Sequence, residues 1–181
     1  MKSDDREREA SGQALSRLVE KLRADFSNVK IKEAGVFYWN PYEKEVGYLI
    51  GHEESALLLL HELAHTELGH EGYEWDMELL QMESAAWRKV RDELSGRYGV
   101  RFDSELALRK LETYRDWFWE RSSCPGCGTY GFQGLDAKYA CRACQRVWRP
   151  NDNRFKRVWR KGVDEKRVFC DFSEIDKLLQ F

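Results

Sequence analysis

The sequence predicts an α+β fold carrying a small metal-bound appendage, and three observations predict it. Short β-branched and aromatic runs cluster between residues 29 and 50. Apolar residues recur at helical spacing once before those runs and through most of residues 53–121 after them. Beyond residue 122 the helical period stops, and four cysteines follow as two Cys-x-x-Cys pairs.

Composition bounds the possibilities. With 181 residues and 42% hydrophobic content, the larger part of the chain can bury a core. Its seven Trp, eight Tyr and nine Phe set it apart from disordered chains, despite 34% charged residues. The longest apolar run, Ala56–Leu60, is far too short to span a bilayer, and Met1–Ala10 is charged where a signal peptide would be apolar. A cytoplasmic protein with no membrane partner is expected, and in that compartment five cysteines argue for metal ligands over disulfides. Charge is unevenly divided: residues 1–120 hold 17 Lys and Arg against 25 Asp and Glu, whereas residues 121–181 hold 13 against 7. Only the second part suits an acidic or nucleic-acid partner.

In chain order, residues 1–11 read as a flexible, charged lead-in. Leu15, Leu18, Val19, Leu22 and Phe26 then mark an amphipathic helix over 12–26. Val29–Ile31, Val36–Trp39 and Val46–Ile50 read as two or three strands, separated by Ala34-Gly35 and Asn40-Pro41. A sheet placed before a catalytic helix is the order expected when an edge strand pairs with an extended peptide. The next helix is expected from Glu53 or Glu54 to Leu68, with acidic residues in its first turn and Gly69 as its stop. A second long helix runs from Tyr73 or Trp75 to Arg97, and a third starts at Asp103 or Ser104 and ends at Ser122-Ser123. The domains expected are therefore 12–121, a ribbon over 122–150, and a basic extension over 151–181 with short strands at Phe155–Trp159 and Val168–Phe172 and a terminal helix.

The chemistry concentrates in Leu57–His70. His61 and His65, four residues apart, project from one helix face and can grip one metal ion, while Glu62 points about a hundred degrees away. Hydrolytic zinc needs three protein ligands and an open position. Glu83 is the favoured third ligand, because the small residues after it allow two helices to approach closely; His70 and Glu78 are the alternatives. Glu62 is assigned as general base for a zinc-activated water. His52 is expected to be a cap or loop residue.

His61-Glu62-Leu63-Ala64-His65, followed by Leu68-Gly69-His70 and then Glu83-Ser84-Ala85-Ala86-Trp87, resembles the gluzincin-type metallopeptidases, especially the small ImmA/IrrE-like peptidases of bacteria and phages. The resemblance covers about residues 35–95. It implies a zincin-like fold, zinc held by two histidines and a glutamate, and hydrolysis of peptide bonds in a protein substrate, often a DNA-bound regulator. Ser84 and Ala85 depart from the Ala and Asn usual after the family's glutamate. A second resemblance, to the Spartan/SprT-like proteases, rests on His70, Trp75 and the C-terminal cysteines, and implies action on proteins bound to DNA.

Cys124, Cys127, Cys141 and Cys144 have the spacing of a closed structural zinc site, so two zinc ions are expected in all. Tyr130, Phe132, Tyr139 and Trp148 supply candidates for a minimal core, and metal binding would add folding free energy. Arg142, Arg146, Arg149, Arg154, Lys156, Arg157, Arg160 and Lys161, interleaved with Trp148, Phe155 and Trp159, are compatible with DNA or RNA contact. Cys170 reads as a small buried hydrophobe. The competing class is a non-catalytic binding module in which the histidine site is structural.

Overall fold

A computed structural model of the chain describes residues 2–134, 136–152 and 157–163, with side chains from Gly12 onward. The chain is mixed α+β and divides into two compact units. One unit comprises the described residues up to Tyr73 together with Glu78–Leu111; the other comprises Glu74–Met77 and the described residues from Glu112 on. Among the described residues, no helix is long and apolar enough to cross a membrane.

The first unit opens on α1 (Lys2–Asp25), which buries Leu15, Val19 and Leu22 at helical spacing. The lead-in expected over 1–11 is not set apart from it, since the helix is already formed at Lys2. Arg, Glu and Ala dominate residues 6–10 and are strong helix formers, which composition read as charge alone overlooks.

Three strands follow, β1 (Lys30–Glu33), β2 (Tyr38–Asn40) and β3 (Glu45–Tyr48), in the order β1-β3-β2. β1 runs parallel to β3, and β2 forms an antiparallel hairpin with it. The hairpin turn is set by Asn40, whose Oδ1 accepts the backbone N–H groups of Tyr42 and Glu43 at 3.1 and 3.2 Å. β3 is buried along its whole length, as a central strand must be, and leaves β1 and β2 as edges. The Tyr38 ring lies so close to Gly47 that it leaves no room for a Cβ there.

The helix α2 (Ser55–Glu67) buries Leu57–Leu60, Leu63 and Ala64 against this sheet side of the core. Its first turn carries no acidic residue: Glu53 and Glu54 precede the helix, and Glu54 pairs with Arg109 at 3.1 Å. The entry is instead held by Ser55, whose hydroxyl donates to the Leu49 carbonyl at 2.6 Å, and by His52, whose Nδ1 accepts the Glu54 N–H at 3.2 Å. Next come α3 (Asp76–Lys89), a π-helical turn over Val90–Leu94 and α4 (Ser95–Tyr98), where one regular helix was expected. Gly99, at φ 67°, ends the run. Asp103 caps α5 (Ser104–Ser122) by accepting the Glu105 and Leu106 N–H groups at 2.9 and 3.0 Å.

In the second unit β4 (Phe132–Gln133), β5 (Tyr139–Ala140), β6 (Val147–Pro150) and β7 (Arg160–Gly162) form an antiparallel sheet in that order. β7 falls in the stretch read as an extension, yet it pairs with β6. The strand expected at Val168–Phe172, the terminal helix and Cys170 lie outside the described residues, as do Arg154–Lys156.

Glu45 supplies a pH test of the sheet. It sits in β3 opposite Lys30, and its carboxylate takes Lys32 at 2.8 Å, Lys30 at 2.9 Å and the Tyr38 hydroxyl at 2.5 Å. The Lys32 ammonium, with Tyr38 and Lys30, holds the Glu45 carboxyl down at about 2 from the usual 4.5. A depressed carboxylate contributes stability that is complete above the ordinary value and lost as pH falls through the folded one. The melting temperature of Glu45→Gln should therefore lie below that of the wild type by a constant margin above about pH 5, and the margin should shrink between about pH 4.5 and 2.

Candidate metal centre

Two groups of side chains in the described residues have the composition and spacing to hold a metal ion: His61, His65 and Glu83, and the four cysteines Cys124, Cys127, Cys141 and Cys144. In each group the ligand atoms all lie within 4.8 Å of one another.

The first group is built by two helices of one unit. α2 presents His61 and His65 a single turn apart, and α3 presents Glu83; all three are buried. His61 Nε2 lies 3.2 Å from His65 Nε2 and 3.1 Å from Glu83 Oε2, and His65 Nε2 lies 3.7 Å from Glu83 Oε1. Nitrogen and oxygen ligands about 2.0–2.1 Å from a tetrahedral zinc sit about 3.3 Å from one another, so these separations match the edges of such a site. Three acceptor-bearing groups converging away from solvent could hold a cation between them.

Each histidine is held differently. The His61 ring stacks on Trp87, one turn beyond Glu83 on α3, with centroids 4.2 Å apart and planes 28° apart. Its Nδ1 is buried with no hydrogen-bond partner among the described residues. His65 instead meets His70, Nδ1 to Nδ1 at 2.8 Å. His70 is thus outside the ligand group, on the far side of the His65 ring from the Nε2 cluster; burial pushes its pKa below the ordinary 6.5, against the opposing pull of Glu83. Glu78, half-buried on α3, is not in the group either. Glu62 is half-buried beside His61 on α2.

The second group is assembled by two matching turns. Gly128 N–H bonds the Cys124 carbonyl and Gln145 N–H bonds the Cys141 carbonyl, both at 2.9 Å, and both Gly128 and Gln145 take positive φ, 74° and 59°. Each turn brings its cysteines onto a common point, with Cys124 Sγ 3.5 Å from Cys144 Sγ and Cys127 Sγ 3.5 Å from Cys141 Sγ. Thiolates about 2.3 Å from a tetrahedral zinc stand about 3.8 Å apart, close to these values. Hydrogen bonding to Thr129 brings the Cys127 thiol down to about 6, whereas, against the lowering effect of the Arg146 backbone, its thiol neighbours push Cys144 up to about 12. Tyr139 and Trp148, stacked 5.7 Å apart, complete a small core with Cys124 and Cys141. Tyr130 and Phe132, expected in that core, are exposed; Phe132 pairs with Ala140 and so faces away from Tyr139.

Sequence reasoning missed the polar centre of this unit. Asp76 accepts Arg121 Nε at 2.5 Å and the Tyr139 hydroxyl at 2.6 Å, while its backbone N–H donates to Gln133 Oε1 at 2.8 Å. The Arg121 carbonyl in turn accepts Trp148 Nε1 at 2.8 Å. Asp76 and Arg121 are almost fully buried, and nothing in their spacing of 45 residues announces the pair.

Metal analysis gives a direct check. The wild-type chain should bind two zinc ions, one per group; His61→Ala with His65→Ala should leave one, and Cys124→Ser with Cys141→Ser should cost the ribbon its ordered structure. No family model, no curated protein and no solved structure matches this chain.

Proposed function

We propose that the chain is a zinc-dependent peptidase with a zincin-like catalytic unit and a C-terminal zinc ribbon. The observation that carries this reading is the buried convergence of His61, His65 and Glu83 with Glu62 on the same helix. That Glu83, not His70, stands with the two histidines favours the gluzincin-type resemblance over the Spartan/SprT-like one.

His61 and His65 would hold the ion through Nε2 and Glu83 through its carboxylate. Bound there, zinc would supply Lewis acidity and acidify a water into the neutral range. Glu62, displaced about 100° around α2 from His61, takes up the proton released as water adds to the peptide carbonyl. It then returns that proton to the departing amine nitrogen as the C–N bond breaks. The leucines of α2 fix the helix in the core, so the carboxylate has a rigid base. Among the described residues β2 is an edge strand that an extended substrate could pair with, and its Trp39 indole N–H donates to the His70 carbonyl at 2.7 Å, which ties that edge to the end of the histidine helix.

Glu62→Gln should bind zinc like the wild type and lose peptide hydrolysis by about 100-fold or more. If the zinc-loaded wild type and variant behave alike towards every substrate tried, the enzyme reading fails.

One observation favours a partner for the ribbon. Phe132, Arg149 and Lys161 fall on the sheet face opposite Tyr139 and Trp148, by strand register. Arg142 lies over the Phe132 ring at 4.3 Å, and Arg149 and Lys161 are exposed cross-strand neighbours. A cationic face with an arginine-stacked aromatic suits a single-stranded nucleic acid. The full chain should bind single-stranded oligonucleotides at low salt, with affinity falling steeply as salt rises, and Arg149→Glu with Lys161→Glu should weaken that binding. No binding at low salt would exclude this partner.

A further inference from the structure

We propose that His70 is a positioning residue: it fixes His65 in the tautomer and ring orientation that present Nε2 to the metal. The inference rests on reading His61, His65 and Glu83 as the metal site, and it gives His70 a role that is neither ligand nor bystander.

The backbone shows how His70 reaches its place. α2 ends in a Schellman motif: Gly69 turns left-handed at φ 65°, its N–H donates to the Thr66 carbonyl at 3.2 Å, and the His70 N–H donates to the His65 carbonyl at 3.0 Å. The chain is thereby folded back on the last turn of the helix, so residue 70 lies over residue 65. The carbonyl of His70 is pinned from the other side by the Trp39 indole. Held at both its backbone N–H and its carbonyl, His70 brings its ring to 4.9 Å from that of His65, at an interplanar angle of 66°.

The side-chain chemistry allows one arrangement. A neutral imidazole has one N–H and one lone pair. If His65 offers the Nε2 lone pair to a metal, its proton resides on Nδ1, 2.8 Å from His70 Nδ1. His70 Nδ1 must then accept, carrying its own proton on Nε2. A metal-bound histidine whose other nitrogen is hydrogen-bonded has its tautomer settled and its basicity raised.

Position on the helix explains why His65 needs this and His61 does not. His61 lies mid-helix and is clamped by the Trp87 face. His65 is two residues from the end of α2, where a helix frays, and has its partner only because Gly69 reverses the chain. Gly69 is accordingly more than a stop signal.

The test is zinc affinity of the full chain at the non-cysteine site, measured by chelator competition with the cysteine site as internal reference, together with the absorption spectrum after cobalt substitution. His70→Ala should weaken zinc at the His61 site by about 10–100-fold and leave the cobalt coordination number unchanged. His70→Asn, whose Oδ1 can occupy the place of Nδ1, should restore most of the loss. Trp39→Phe, which removes the N–H that pins His70 along with part of the indole ring, should act in the same direction by a smaller factor and keeps the test open if His70→Ala does not fold. Wild-type affinity in both His70→Ala and Trp39→Phe, absence of rescue by Asn, or a cobalt spectrum showing a lost ligand would overturn the proposal while leaving the metal site standing. A wild-type chain that binds zinc only at its cysteines would overturn the metal-site reading itself.

Discussion

Two imidazole nitrogens and a carboxylate, buried within 3.1–3.7 Å of one another, set the conditions that the rest of the first unit meets. Groups of that kind are costly to remove from water, by several kcal/mol for an uncompensated carboxylate, unless a cation or a full set of hydrogen bonds repays the loss. A helix that carries them inward must therefore be held by something stronger than its own propensity. α2 is held by Leu57–Leu60, Leu63 and Ala64, all buried, with roughly 2 kcal/mol contributed per leucine. The leucines and the histidines share one helix, so the apolar burial that fixes α2 also fixes the polar cluster.

The same constraint explains the neighbours. α3 brings Glu83 to the cluster and, one turn later, lays Trp87 against His61, so a single helix provides both a ligand group and a wall. The sheet reaches the site through Trp39, and Gly69 turns the chain so that His70 can back His65. Each contact removes a rotational freedom from a histidine, and a site organised in this way spends no further ordering entropy when an ion or substrate arrives. In the second unit the cysteine cluster and the Asp76–Arg121–Tyr139 network do the equivalent work for a sheet with little apolar surface of its own.

The parts that sequence made legible are those whose chemistry repeats at fixed short spacing. His61 and His65 are one helical turn apart, and each cysteine pair needs only its own tight turn, so both groups could be named before any fold was known. Glu83 was reachable because it lies on the next helix among small residues. What escaped depends on contacts distant in sequence or on backbone geometry without a residue signature. The salt bridge between Asp76 and Arg121 spans 45 residues, the pairing of β7 with β6 sets Trp148 opposite Gly162, and the π-helical turn at Val90–Leu94 has no compositional mark. His70 is the instructive case: its nearness to the site was visible, but whether it was a ligand depended on the sense in which Gly69 turned the chain.

The central claim, that His61, His65 and Glu83 hold a zinc ion, is tested most directly by anomalous diffraction at the zinc edge from crystals of the zinc-loaded full chain. The account predicts a peak about 2.0–2.1 Å from the Nε2 atoms of His61 and His65 and from the Glu83 carboxylate, in addition to the peak among the cysteines. A peak at the cysteines alone, with the two histidines and Glu83 hydrogen-bonded to each other or to water, would contradict it.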